Sequence, residues 1–305
     1  MGTPDFASAC LRSISEKGMD VAAVITQPDR KQGRGMKVAF SDVKKTATEL
    51  GIPVYQPDTL KDGAILPLLD EIKPDVIVVV AYGKILPEYV LNFPKYGCVN
   101  VHGSLLPKYR GAAPIQRAVL DGEKVTGITT MLMDKGLDTG DMLLTKEYEI
   151  GENETVGEVF DALSAIGGEL LSETLIKLEE GSIKPVKQDE EGATYAQKIT
   201  NEECLVDFGG NALNVHNKIR GMSPYPGSYS YLDGKVVKLY DSRIAEKEYD
   251  GKPGEVVDAS AKGGVVIKCG SGAVKVLRFK PEGKGVMSAA DMINGRKIAV
   301  GKIFE

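Results

Sequence analysis

One segment of the 305-residue sequence concentrates side chains that could do chemistry: Val99-Asn100-Val101-His102-Gly103-Ser104-Leu105-Leu106-Pro107-Lys108-Tyr109-Arg110-Gly111. Strand side chains alternate between faces, so Asn100 and His102 point one way while Val99 and Val101 point the other. At the carboxyl end of a strand in an open α/β sheet, such a polar pair sits where ligands usually bind. The glycine-flanked turn that follows lets backbone approach a ligand closely. A second dense segment runs from Met133 to Met142 and packs two glycines and three aspartates into ten residues. A carboxylate returning from this loop to His102 would orient the imidazole and favour its charged form. Spacing alone leaves open whether Asp134, Asp138 or Asp141 does so, and the same loop also reads as a solvated turn.

Other chemistries find less support. The four cysteines (Cys10, Cys98, Cys204, Cys269) lie far apart and never in CxxC spacing, and the chain has only two histidines. A His/Cys metal site is therefore not expected, and the thiols read as reduced and structural. The second histidine, His216, falls on a predicted helix among Asn214, Asn217 and Lys218, where it reads as a hydrogen-bonded structural residue. There is no Walker sequence, Gly33-Arg34-Gly35 is not a dinucleotide fingerprint, and no GxSxG elbow is present.

The elements that must position these residues alternate between strand and helix. Phe6, Cys10 and Ile14 recur at helical spacing, and Gly18 stops that helix. Val21 to Thr26, Ile52 to Tyr55, Val76 to Ala81 and Val99 to Val101 read as strands, with helices over Ser41 to Leu50 and Ile65 to Ile72 between them. Such alternation predicts an α/β, doubly wound, mostly parallel sheet of Rossmann-like type. Thr155 and Glu158 form a capping box ahead of a helix whose apolar face is Phe160, Leu163, Ile166, Leu170 and Leu178. From Val206 the pattern changes to one helix (Ala212 to Arg220) and short Val- and Gly-rich strands: Ser228 to Leu232, Val236 to Tyr240, Gly264 to Cys269 and Ala273 to Phe279. These predict a small C-terminal β-barrel, with the OB-fold as one candidate. The expected organisation is a catalytic domain over 1–181, a polar linker over 182–205 and a barrel over 206–305.

Composition fits this plan. No apolar run approaches a membrane span and no N-terminal stretch reads as a signal peptide, so a cytoplasmic protein is expected. The net charge of −5 argues against bulk nucleic-acid binding, but it is unevenly spread. Residues 206–305 hold 16 Lys+Arg against 11 Asp+Glu, and the rest hold 22 against 32. A mildly basic third on an acidic body is compatible with an RNA-binding appendage.

The chain resembles the methionyl-tRNA formyltransferase family over nearly its whole length. The matching stretches are GTPDFA (Gly2 to Ala7), TQPDRKQGRG (Thr26 to Gly35), VVVAYGKILP (Val78 to Pro87), NVHGSLLPKYRGAAPIQRA (Asn100 to Ala118), MDKGLDTGDML (Met133 to Leu143) and IRGMSPYPGSY (Ile219 to Tyr229). The resemblance implies transfer of a formyl group from 10-formyltetrahydrofolate, as donor substrate and without a metal, to methionine on initiator methionyl-tRNA. It places the catalytic residues on Asn100, His102 and Asp138. It places folate contacts on Ser104, Leu105, Leu106 and Pro107, with Tyr82, Gly83, Ile85 and Leu86 bordering the pterin. A tRNA-reading loop falls on Arg30 to Lys37, with Arg30, Lys31, Arg34 and Lys37 as its cations, and the barrel would bind the tRNA body. The expected enzyme works as a monomer.

Physical reasoning agrees with that assignment. An amine attacking a formyl carbon builds an oxyanion and an ammonium, so Asn100 and His102 can donate to the oxygen while Asp138 supports His102 and proton removal. Glycinamide ribonucleotide formyltransferases, which lack the C-terminal hundred residues, and amino-sugar formyltransferases, which differ at Ala112 to Arg117, are the rivals within this chemistry. A folate- or RNA-binding module without activity is the rival from outside it. Family members carry a strand ahead of the GTPDF motif, whereas this sequence starts at Met1-Gly2-Thr3. The expectation is a sheet lacking its central first strand, as from a start assigned too late.

Overall fold

A computed structural model describes residues 1–32 and 37–305, which divide into two compact units. The first comprises Met1–Gly111, Thr126–Tyr148 and Phe160–Tyr195; the second comprises Ala112–Val125, Glu149–Val159 and Ala196–Glu305.

In the first unit the predicted alternation appears. Helix Asp5–Glu16 buries Phe6, Cys10 and Ile14, and helix Asp42–Glu49 is capped by the Ser41 hydroxyl, which accepts from Lys44 N–H. Strand Val24–Ile25 pairs in parallel with Val54–Tyr55, and Ile77–Val79 pairs in parallel with Cys98–His102. Beyond Cys98–His102 lies Val125–Leu132, antiparallel to it, and then Met142–Glu149. Arg30–Gln32 and Lys37–Ala39 form a separate antiparallel pair. Val99 and Val101 are buried toward the helix Val156–Glu179: a Cβ at Gly167 would lie 2.8 Å from Phe6 and 3.3 Å from Val101. Asn100 and His102 are thereby left on the other face. The predicted valine–polar alternation explains this split.

Met1 and Gly2 stand between the two parallel pairs. The Met1 amino group donates to Val78 O at 2.5 Å, Val80 N–H donates to Met1 O at 2.9 Å, and Gly2 N–H donates to Ile25 O at 3.1 Å. Gly2 lies parallel to Val80, so one residue holds the place of a strand. Burial lowers the amino pKa to about 6. Next to it, between residues 21–25 and 76–78, lies a cavity of about 870 Å³ that also touches Cys10, Ile14 and Leu171.

The second unit is built on an antiparallel sheet in the order Ser228–Leu232, Lys235–Ile244, Ala273–Pro281, Gly264–Lys268, Val256–Ser260, with Met287–Ser288 also paired to Ala273–Pro281. Its two edges are joined by the last residues: Phe304 pairs with Leu232, and Ile303 with Glu255. This closure is barrel-like, as the OB expectation requires. Helix Ala212–Gly221 places Ala212, Val215 and Ile219 in the core with Leu239, Val276 and Phe279. The Thr155–Glu158 capping box forms, with Thr155 N–H donating to Glu158 Oε2 at 2.8 Å.

All four cysteines are buried and unpaired, and burial pushes the Cys10 and Cys98 thiols up to about 12. Among the described residues, no helix is long and apolar enough to cross a membrane.

Candidate active site

Strand Cys98–His102 is buried along its whole length, with Asn100 opposite Val79 on one side and Met131 on the other. At its carboxyl end the chain enters the turn 103–109, which Thr129 of the neighbouring strand holds from below. Thr129 Oγ1 donates to Ser104 O at 2.7 Å and accepts from Leu106 N–H at 3.1 Å. Ser104 Oγ donates across the turn to Lys108 O at 2.6 Å. The turn brings Tyr109 O to 2.9 Å from His102 Nε2, so Nε2 carries the hydrogen and donates to it. Nδ1 is then the nitrogen directed at Asp138.

Asp138 arrives from the loop after strand Val125–Leu132. Its Oδ2 accepts from Gly111 N–H at 2.9 Å and lies 3.6 Å from His102 Nδ1, and its Oδ1 accepts from Asn100 Nδ2 at 3.4 Å. The last two contacts are long, so a substrate atom can enter between these groups without breaking a tight bond. The choice among the three aspartates that spacing left open is thus made by geometry. Asp134 Oδ1 is occupied within the loop by Gly136 N–H and Thr139 Oγ1, and of the three only Asp138 pairs with His102. The loop passes close enough to the sheet that a Cβ at Gly140 would lie 1.8 Å from Leu132 O.

Tyr109 (φ 61°) and Asp138 (φ 53°) are both non-glycine residues in the left-handed region, and each holds one side of the same imidazole. Residues in such conformations cost about 1–3 kcal/mol and persist only where surrounding bonds fix them. Here two strained positions converge on His102. Asn100 is 9% and His102 5% exposed, while the Asp138 side chain keeps 15%, enough for the site to open on one side.

The residues expected to border the donor divide by exposure. Tyr82 and Leu86 belong to an apolar cluster with Leu60, Ile65 and Val90, so their side chains serve the core. Ile85, between them, is 92% exposed, and Gly83 is left-handed. Leu106 and Ser104 are buried, and Leu105 and Pro107 partly so. Sequence reading missed Gln27: its Nε2 donates to Tyr82 O at 3.0 Å, while its Oε1 is buried without a hydrogen-bond partner among the described residues. Tyr82 Oη is likewise buried and unpartnered. Of the expected tRNA-contacting cations, Arg30 and Lys31 lie on one strand of the antiparallel pair and Lys37 opens the other, with Gln32 opposite Lys37. Arg34 lies outside the described residues.

His216 is placed as read from the sequence. Its Nε2 donates to Glu152 O at 2.9 Å and its Nδ1 meets Ser242 Oγ at 2.7 Å; burial lowers its pKa. Among the described residues, no three His, Cys, Asp or Glu side chains gather as metal ligands.

A family model described as "Formyl transferase" matches residues 1–175, and one described as "Formyl transferase, C-terminal domain" matches 198–297. The methionyl-tRNA formyltransferase of Caldanaerobacter subterraneus subsp. tengcongensis is 49% identical over 306 residues, covering 100% of this chain and 98% of its own. That of Geobacter metallireducens is 44% identical over 301 residues, covering 99% and 96%. Among solved structures, the sugar 3N-formyltransferase WlaRD superposes with a TM-score of 0.66 at 19% identity, over 93% of this chain and 97% of that one. HypX from Aquifex aeolicus gives 0.62 at 22% identity over 83% of this chain, which spans only 44% of HypX. These structural likenesses concern the fold alone. The full-length sequence matches, collinear through both domains, establish that the chain belongs to the methionyl-tRNA formyltransferase family.

Proposed function

We propose that this chain transfers the formyl group of 10-formyltetrahydrofolate to the amino group of methionyl initiator tRNA for translation initiation, with Asn100, His102 and Asp138 at the reacting atoms. The observation that carries the reading is the return of Asp138 to Asn100 and His102 at a strand end. It occurs in a chain matched throughout by methionyl-tRNA formyltransferases.

The residues present suit such a donor. Gln27 Oε1, an orphaned buried acceptor next to the Tyr82 backbone, can take an N–H from a pterin edge, and exposed Ile85 offers an apolar wall. Gly83 and the Ser104-Leu105-Leu106-Pro107 turn complete the surround, with Leu86 backing it from the core. The donor supplies a formyl carbon. A bond forms from the methionyl nitrogen to that carbon, the bond from the carbon to the folate nitrogen breaks, and one amine proton ends on the leaving nitrogen. Asn100 Nδ2 and protonated His102 Nδ1 donate to the oxygen that becomes negative, the interaction worth most in a site closed to water. Asp138 orients both donors and accepts the amine proton in transit.

On the same reading, Arg30, Lys31, Arg34 and Lys37 contact the acceptor end of the tRNA. The basic 206–305 region holds its body, while 182–205 connects it to the catalytic region. The deciding experiment measures formylation of initiator Met-tRNA against elongator Met-tRNA and free methionine across a salt series. Initiator preference is expected, with log affinity falling by roughly 0.7–0.9 per phosphate contact per log unit of salt. Arg34→Ala should weaken initiator selectivity more than donor binding. Equal rates on free methionine would overturn the assignment.

A further inference from the structure

The two family models leave residues 176–197 uncovered, and this stretch overlaps the segment whose polar composition reads as a linker. Its chain path is far from idle. Val186 pairs with Met142 at the far end of the Asp138 loop. Thr194 Oγ1 accepts from Tyr109 N–H at 2.9 Å, and Thr194 O accepts from Arg110 N–H at 2.8 Å, on the turn whose Tyr109 carbonyl holds His102. Between these two attachments stands Gln188, only 9% exposed.

Both hydrogens of the Gln188 amide are used on the loop: Nε2 donates to Asp138 O at 2.7 Å and to Gly140 O at 2.8 Å. The other end of the amide cannot take that place, because Gln188 Oε1 accepts from Arg110 Nε at 3.0 Å. Arg110, fully buried, is in turn fixed by a two-pronged pair with Glu190, at 3.0 and 2.9 Å, which holds that carboxyl below the usual range. Arg110 also precedes Gly111, whose N–H holds Asp138 Oδ2. The backbone of Asp138 is therefore tied through Gln188 and its carboxylate through Gly111, and both ties lead to one buried guanidinium. A left-handed aspartate needs such support to keep its conformation.

We infer that Gln188 is a positioning residue for the transfer: by closing one amide on two loop carbonyls it sets where the Asp138 carboxylate stands against His102. Asp138 is held 3.6 Å from His102 Nδ1, and displacements of about 1 Å at a reacting centre cost on the order of 10²-fold in rate. The inference rests on the reading of Asp138 and His102 as reacting groups, and extends it to a segment outside both matched domains.

The test uses the full chain with initiator Met-tRNA and 10-formyltetrahydrofolate, and compares parent, Gln188→Met, Asp138→Asn and the double variant. Methionine keeps the side chain's length without its N–H groups. The expected result is a single-turnover rate lowered about 10- to 100-fold in Gln188→Met, with KM for both substrates within about twofold. In the Asp138→Asn background the same substitution should add less than about threefold, because it acts through the group already removed. A purely structural role would lower both backgrounds alike, so fully multiplicative losses, a loss confined to KM, or a parental rate in Gln188→Met would overturn the inference. A parental rate in Asp138→Asn would instead overturn the site assignment beneath it. If Gln188→Met fails to fold, Glu190→Gln decides. It loosens Arg110 while leaving Gln188 in place, and should show a smaller loss with the same failure to multiply.

Discussion

The surroundings of the two histidines look alike until charge is considered. His102 and His216 are both buried, and each donates through Nε2 to a backbone carbonyl at 2.9 Å. Around His216 the remaining nitrogen meets a hydroxyl at 2.7 Å, and the charged groups facing it include Arg220 and Arg243. Such a site is complete and favours the neutral ring. Around His102 the remaining nitrogen faces a carboxylate across 3.6 Å, beside an amide whose own bond is long at 3.4 Å. Burial and one good hydrogen bond are therefore common to both histidines. The unfinished second nitrogen beside an anion is what sets His102 apart.

The sharpest test of this contrast is on the His102 side. His102→Ala or Asn100→Ala should lower single-turnover formyl transfer by roughly two to three orders of magnitude while donor binding persists, the usual loss for one oxyanion donor. Rates within tenfold of the parent would remove the strand face from the chemistry. Asp138→Asn should cost a comparable factor of about 10², since an amide cannot stabilise an imidazolium. An undiminished rate at neutral pH would move that role to another carboxylate.

On the other side the readout changes from rate to stability. His216→Phe should leave turnover within about threefold but lower stability by about 1–3 kcal/mol, because Ser242 Oγ and Glu152 O lose their partner. A rate loss like that of His102→Ala would erase the contrast. The smallest effect is in pH. The His216 pKa lies below its ordinary 6.5 in the folded chain, so the unfolded chain binds the extra proton first as pH falls. Stability should therefore decline below about pH 6.5, and the decline should be shallower in His216→Phe when melting is followed from pH 7 to 5.

Much of the site follows from local rules. The Asn100–His102 pair is legible because strand periodicity is two, and the Thr155 cap because Glu158 lies three residues on. Asp138 is not legible from spacing, since all three aspartates suit the loop and only the path of the chain selects one. Arg110, Gln188 and Glu190 are invisible for a different reason. A run of charged and amide residues has the composition of solvated chain, and the burial of Gln188 within it depends on contacts between positions 110 and 188–190, far apart in sequence. The same limit hid which residues close the expected barrel, because nothing local to Ile303 or Phe304 announces two distant partners.

That closure has a consequence for the biosynthesis of the molecule. Strand Ser228–Leu232 and the chain at Glu255 are translated well before the residues that join them, Ile303 and Phe304. Until those emerge from the ribosome, both borders of the sheet carry unpaired backbone groups, the surface on which nascent chains mispair with one another. The sheet of this unit therefore cannot be completed until Ile303 and Phe304 have been made.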